Sequence, residues 1–365
     1  MARAGRWSGC VGAALVIAAL GTSVERVAAG RQAGDATWSE FATGLENPRG
    51  LRFGPDGNLY VAEGGLGGTE MTTPGDCEQV VAPVGPYSGG FTGRISRIDA
   101  AGHRTTVVDG LPSSQTSPNL GSLVSGVADV DFIGRTMYVL MAGAGCSHGL
   151  LNTTNGVYRV QGNSLRLVAD LSAWQKAHPV AHPEEEDFEP DGTWYSMVAV
   201  RGALYAVEPN HGDVVKVTPG GAIRRVVDVS ASQGHIVPTS IAYHGNFFLG
   251  NLSTFPITIG AAKVLKLTPS GSLKTWRRGL TNVVGVAFDK RARMYVLEST
   301  VAPGLPAPGF GEIVRIDPSG ERTTILSGLN LPTAMTFGPD GDLYVSDWGF
   351  GPPIGRILKV TPPEE

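Results

Sequence analysis

Six residues recur at one point of a repeating pattern, and five of them present oxygen. Glu63, Met141, Glu208, Asn251, Glu298 and Asp347 each close a short apolar segment built around Leu-Tyr-Val or a close variant. Four carboxylates and one amide brought to a single rim can supply hard oxygen ligands to a cation, calcium above all. The same oxygens can instead accept backbone N–H groups and cap loops. Two histidines lie near the same rim, His211 in Pro209-Asn210-His211-Gly212 and His235 in Gln233-Gly234-His235-Ile236. Either is a candidate base, with Glu208 as a third catalytic candidate, and a loop histidine held by hydrogen bonds is the plain alternative. The stretch 174–194 carries Trp174, His178, His182, Glu184, Glu185, Glu186, Asp187 and Glu189. It reads as an acidic flap, mostly solvated, that can attract a cationic ligand.

Standard signatures of chemistry are absent. The chain contains no Gly-x-Ser-x-Gly, no His-Glu-x-x-His, no Cys-x-x-Cys and no phosphate loop ending in Lys-Ser or Lys-Thr. Gly143-Ala144-Gly145 follows a strand pattern but leads into Cys146 and a loop rather than a helix, so it is no nucleotide site.

The elements that must position these residues are legible from the tyrosine at the centre of each segment. Tyr60, Tyr138, Tyr205, Phe248, Tyr295 and Tyr344 mark six copies, the last four spaced 43 to 49 residues apart and the first gaps widened to 78 and 67 by insertions. Around each lie an apolar strand, a turn such as Gly54-Pro55-Asp56-Gly57, the Tyr strand, a Gly-Arg-Ile-x-Arg-Ile-like strand and a closing strand. Four short strands per repeat with no intervening helix are the period of a propeller blade. The expected fold is therefore all-β: a six-bladed β-propeller with four antiparallel strands per blade.

Blade six supplies only three strands before the chain stops, and Trp38-Ser39-Glu40-Phe41-Ala42-Thr43-Gly44-Leu45 has the form of the missing one. The N-terminal strand is expected to close the ring and remove an exposed sheet edge. In this topology the insertions 64–91, 142–155, 252–261 and 299–310 all fall on one face, and the other face receives tight turns. A binding surface is expected on the long-loop face. The basic residue of each third strand (Arg97, Arg159, Lys216, Lys266, Arg315, Lys359) reads as cover for the blade surface.

Arg3 and Arg6 precede the apolar run Val11–Leu20, and Val27-Ala28-Ala29 carries small residues. Residues 1–29 read as a secretory signal, too short for a comfortable membrane span, and 30–365 as one propeller domain. A retained amphipathic anchor is the alternative. Cys10 leaves with the signal, so Cys77 and Cys146 remain, on equivalent loops of neighbouring blades. In an exported chain such a pair reads as a disulfide, the alternative being two separate thiols. A net charge of −4 offers no footprint for nucleic acid.

The Gly-Pro-Asp-Gly-x-Leu-Tyr-Val turn and strand, with the Gly-Arg-Ile-x-Arg-Ile strand, resembles the NHL-type six-bladed propellers. Over 38–361 the layout resembles the ScyD/ScyE family of exported propellers, named for genes grouped with pigment biosynthesis in cyanobacteria. That likeness implies the fold and export but no defined activity. A more distant likeness is to the calcium-dependent lactonases of the gluconolactonase and regucalcin group, which begin an inner strand with a metal-binding Glu. Here the equivalent ring reads Arg49, Ser125, Tyr195, Thr239, Val284 and Thr333, with no carboxylate in it. An arginine where a divalent cation would sit argues against that enzyme. Arg49 is expected either to neutralise Glu63, Glu298 and Asp347 or to border the channel in solvent.

Two functions follow. The first is a secreted, monomeric propeller, with no transmembrane segment in the mature chain, binding a small molecule, glycan or protein through its long-loop face. Arg49, Glu63, Tyr195, Thr239, Glu298, Asp347 and Trp348 are its candidate contacts. The alternative is a lactonase-like hydrolase or lyase at the central channel, calcium-assisted or not, using the rim carboxylates with His211 or His235.

Overall fold

The structure is a computed structural model and describes residues 30–31, 36–183 and 188–363. The expected signal, 1–29, lies outside the described residues. No helix among the described residues is long and apolar enough to cross a membrane.

The chain folds into six antiparallel sheets, one per repeat. From the innermost strand outward, blade one uses Pro48–Phe53, Leu59–Glu63, Ser88–Ile98 and Arg104–Gln115, and blade two uses Val127–Ile133, Thr136–Met141, Gly156–Gln161 and Ser164–Asp170. Blades three, four and five begin their innermost strands at Ser196, Pro238 and Val283. In blade six, Thr37–Leu45 pairs with Gly355–Thr361 as the fourth strand from the centre, in register from Thr37↔Thr361 to Leu45↔Gly355. The N-terminal strand closes the ring, as its sequence predicts.

Successive strand side chains point to opposite faces, so each blade offers an apolar surface to both neighbours. The core accordingly divides into six apolar clusters, one in each wedge between adjacent blades. The closing wedge shows how the tyrosines work. Tyr344 of blade six meets Phe41 and Phe53 edge-on, at 5.0 and 4.9 Å between centroids. Its hydroxyl meanwhile donates to Asp340 of the preceding Pro-Asp-Gly turn at 2.8 Å. Tyr60 does the same to Asp56 at 3.0 Å. The repeat's aromatic thus fills the wedge with its ring and fixes the turn with its hydroxyl.

The two faces differ as expected. Long connections leave the second strand on one face in every blade but the third, where only 209–212 intervene. Cys77 and Cys146 join the first two of them, with Cα atoms 6.2 Å apart. Among the described residues, α-helix is confined to two short pieces between blades on that same face, Leu171–Ala177 and Ser230–Gln233.

Candidate functional site

A propeller channel is walled by the free edges of its innermost strands, so its unpaired N–H and C=O groups must find partners. Here side chains of one blade reach the edge of the next. The Ser196 hydroxyl donates to Thr239 O at 2.8 Å and accepts the Ile241 N–H at 3.0 Å. Thr239 Oγ1 donates to Val283 O and Thr333 Oγ1 to Pro48 O, both at 2.6 Å. Asp129 and Asp131 of blade two accept the Met197 and Ala199 N–H groups of blade three, both at 2.7 Å. Asp129 also packs where Gly50 leaves room, for a Cβ there would lie 2.0 Å from its Oδ1. Burial pushes the Asp129 carboxyl up to about 7.

Tyr195 breaks the neighbour-to-neighbour pattern. From blade three it spans the channel to donate to Thr333 O of blade six at 3.0 Å. The phenol therefore lies across the channel at its long-loop end, and burial pushes its pKa up to about 12. Below it a cavity of about 300 Å³ extends to His244, Phe288 and Phe337 at the tight-turn end.

The rim residues have a different task. Glu63 accepts the Glu46 N–H at 2.6 Å, Glu208 the Thr193 N–H at 2.9 Å, and Asp347 the Asn330 N–H at 2.7 Å. Glu298 accepts the Thr281 N–H, and Asn251 holds Ile236 O and the Lys263 N–H, both at 2.7 Å. In four blades the bonded backbone group comes just before a residue in the left-handed region: Asn47, Val237, Asn282 and Leu331, with φ between 46° and 56°. Such a conformation costs roughly 1–2 kcal/mol for a residue with a Cβ. The periodic oxygen caps the turn that feeds the innermost strand. Blade two has Met141 at this point and lacks this cap; Asn155 there holds the loop after the Tyr strand, accepting the Ala144 N–H at 2.8 Å.

This geometry does not fit a calcium ion. The rim carboxylates are spread around the ring, each engaged with its own blade, and no three His, Cys, Asp or Glu side chains among the described residues converge on a metal position. Arg49 does not neutralise them either, which corrects the expectation from sequence. Glu63 pairs with Arg94 at 2.8 Å and Asp347 with Arg356 at 2.8 Å. Arg49 instead donates to Val124 O and lies beside the Tyr195 phenol, half-buried in the channel rather than bordering it in solvent. Trp348 sits beyond its rim carboxylate at φ 56°, half-buried.

The candidate bases are likewise engaged. His211 is buried, its Nε2 3.1 Å from Glu189 O and its N–H bonded to Glu208 at 2.5 Å. His235 is half-buried beside the second short helix. The acidic flap is not all solvated: Glu189 and Asp191 are buried, and 184–187 lie outside the described residues.

Glu189 belongs to a network that sequence reasoning missed. His148 Nδ1 lies 2.8 Å from Ser114 Oγ, and its Nε2 lies 3.5 Å from Glu189 Oε2 and 3.2 Å from Gly192 O. Tyr87 donates to Glu189 at 2.7 Å. A serine, a histidine and a carboxylate in hydrogen-bonded sequence have the order of a nucleophilic triad. Ser114 and His148 are fully buried, however, so no substrate carbonyl can reach the hydroxyl. The arrangement ties together the loops of the first three blades. Two signals for these buried groups were visible: His148 beside the paired Cys146, and Asp129 and Asp131 inside an otherwise apolar inner strand.

Comparison with solved structures returns the same architecture. A protein from Thermus thermophilus described as a putative oxidoreductase (glucose dehydrogenase) is 17% identical over 89% of this chain and 99% of that one, with a TM-score of 0.55. A gluconolactonase from Xanthomonas campestris is 10% identical over 90% and 91%, TM-score 0.52. A catalytically inactive virginiamycin B lyase from Staphylococcus aureus, with quinupristin, is 14% identical over 89% and 99%, TM-score 0.50. The chain is a six-bladed β-propeller. At such identities the likeness carries the fold alone. No family model and no curated protein matches the chain.

Proposed function

We propose that this chain is an exported propeller of the ScyD/ScyE kind that binds a protein partner through its long-loop face. One observation carries the reading. Of eleven large apolar side chains exposed among the described residues, eight stand on the connections of that face, Phe91 and Phe310 stand near the start of the strands that leave it, and Leu167 alone lies in an outermost strand. Met71 and Phe91 rise from blade one, Ile259 from blade four, Leu305 and Phe310 from blade five, and Ile354 from blade six. The loops of blades four and five are bridged, Ile257 to Gly304, so these side chains follow the ring as an arc. An exposed apolar set confined to one face marks an interaction surface. Its Phe, Leu, Ile and Met content suits a protein partner better than a glycan. The Cys77–Cys146 bridge supports the reading, because a loop held in place loses less entropy on binding. Export is supported by the basic-then-apolar start of the chain and by that bridge.

The test is a photo-activatable phenylalanine placed at Phe310 and, separately, at Ser319 in an exposed turn of the opposite face. Illumination in the exported fraction of the producing cell should give discrete adducts from position 310 and none from 319. Equal labelling from both, or none from 310, rejects the loop face as the binding surface.

A further inference from the structure

Arg49 is a cation without a counter-ion among the described residues. It lies on the innermost strand of blade one, where the ladder shifts register between Pro48 and Leu51. A bulge of this kind re-aims the side chain it carries, and here it turns the guanidinium into the channel. One N–H goes to Val124 O and one interaction to the Tyr195 phenol. The remaining donors meet no protein acceptor among the described residues. The acids of the facing strand are committed elsewhere: Asp129 accepts the Met197 and Val130 N–H groups, and Asp131 accepts the Ala199 N–H and pairs with Arg52 at 3.4 Å. A guanidinium taken partly out of water with no carboxylate beside it is unfavourable unless something anionic joins it.

The surroundings say what kind of anion. Tyr195 bars the long-loop end of the channel, so a ligand reaches Arg49 from the tight-turn end. On that path it passes Phe337, Phe288, Val286 and Met335, in a space of about 300 Å³. A planar carboxylate can take two N–H groups of a guanidinium at once.

We propose that the channel is a binding site for a small monocarboxylate with a compact apolar body, its carboxylate on Arg49, which the Tyr195 phenol helps to position, its body toward the tight-turn face. The site is separate from the loop face and opens on the other side of the ring, so the two can be occupied together.

Calorimetric titration of the folded protein with benzoate tests this, alongside benzamide, acetate and chloride. Benzoate should bind saturably at one site per chain, benzamide not at all, and acetate and chloride at least ten-fold more weakly than benzoate. Arg49→Lys keeps the charge and a donor for Val124 O but loses the fork, so benzoate affinity should fall about ten-fold. Arg49→Gln should abolish binding. Tyr195→Phe, which leaves the guanidinium in place, should weaken it several-fold and covers the case in which the glutamine variant fails to fold. Absence of benzoate binding by the wild type, equal binding of benzamide, or unchanged affinity in Arg49→Lys and Tyr195→Phe overturns the assignment. Chloride binding as tight as benzoate also overturns it, since the site would then recognise charge alone.

Discussion

Asp347 and Arg356 face each other across two strands of blade six, with Nε and Nη2 of the guanidinium both 2.8 Å from Oδ2. The other carboxylate oxygen caps the Asn330 N–H. Burial raises the Asp347 carboxyl above its ordinary value even beside the guanidinium, so desolvation outweighs the attraction. Removing one partner leaves the other stranded. Asp347→Ala is expected to destabilise the fold by about 3 kcal/mol, losing cap and ion pair together. Asp347→Asn keeps an acceptor for the cap and should cost less. Urea denaturation separates them, and an alanine variant within about 1 kcal/mol of wild type would remove the cap from the argument.

Ring closure rests on one strand. Ala36, Ala42 and Leu45 are buried in the wedges beside blade six. Deleting residues 30–45 bares the Gly355–Thr361 edge as well as these contacts. A loss of about 5 kcal/mol or more is expected, since a fully buried Leu alone is worth roughly 2–5. Thermal unfolding of the shortened chain is the measurement. A melting temperature equal to that of the intact chain would mean the strand closes nothing.

The architecture was legible in the sequence because a propeller repeats its instructions. The Gly-Pro-Asp-Gly turns, the Tyr strands and the recurring closing strand each recur in phase, and Trp38–Leu45 matched the one strand blade six lacks. The rim was legible as a position but ambiguous as chemistry. An oxygen that caps a backbone turn in blade after blade leaves the same periodic trace as an oxygen that binds metal. What periodicity hides are contacts made once. Tyr195 crosses the ring to Thr333, Arg49 turns at a bulge toward Val124, and His148 meets Ser114 and Glu189 from three different loops. Only the closed ring brings these together, and no local pattern announces them.

His148 gives the fold an acid sensitivity. Burial holds its imidazole down to about 4, against an ordinary value of 6.5. Above pH 6.5 neither state is protonated and the contribution to stability is complete. As pH falls from 6.5 toward 4 the unfolded chain takes up a proton that the folded chain refuses, and stability is lost. Up to about 3 kcal/mol is at stake over this window. His148→Gln, which offers Ser114 and Gly192 amide partners, should flatten the decline in melting temperature between pH 6.5 and 4.5. A variant with the wild-type slope would place the sensitivity elsewhere.

Glu298 acts with the opposite sign. Burial pushes its carboxyl up to about 8 from 4.5, and the hydrogen-bonded Glu312 carboxyl adds to the rise. Below pH 4.5 both folded and unfolded chains carry the proton. Between 4.5 and 8 the unfolded chain ionises while the folded one resists, so stability falls as pH rises through this range. The upper part of the window separates this effect from His148, whose contribution above pH 6.5 is small and of the opposite sign. Between pH 6.5 and 8 Glu298 alone should remove about 2 kcal/mol. Asp129 and Asp213, both pushed up to about 7 chiefly by burial, add a smaller loss of the same sign. Glu298→Gln keeps an oxygen for the Thr281 N–H and can donate to Glu312, so the cap survives while the titration is gone. Its unfolding free energy should match that of the wild type near pH 4, and its excess over the wild type should grow by about 2 kcal/mol between pH 6.5 and 8. Glu312→Gln should give part of the same gain by lifting the like charge from its neighbour. Equal pH slopes for wild type and Glu298→Gln would show that the carboxyl is ionised in the folded protein at neutral pH, and that the rim of blade five holds a charge rather than a shared proton.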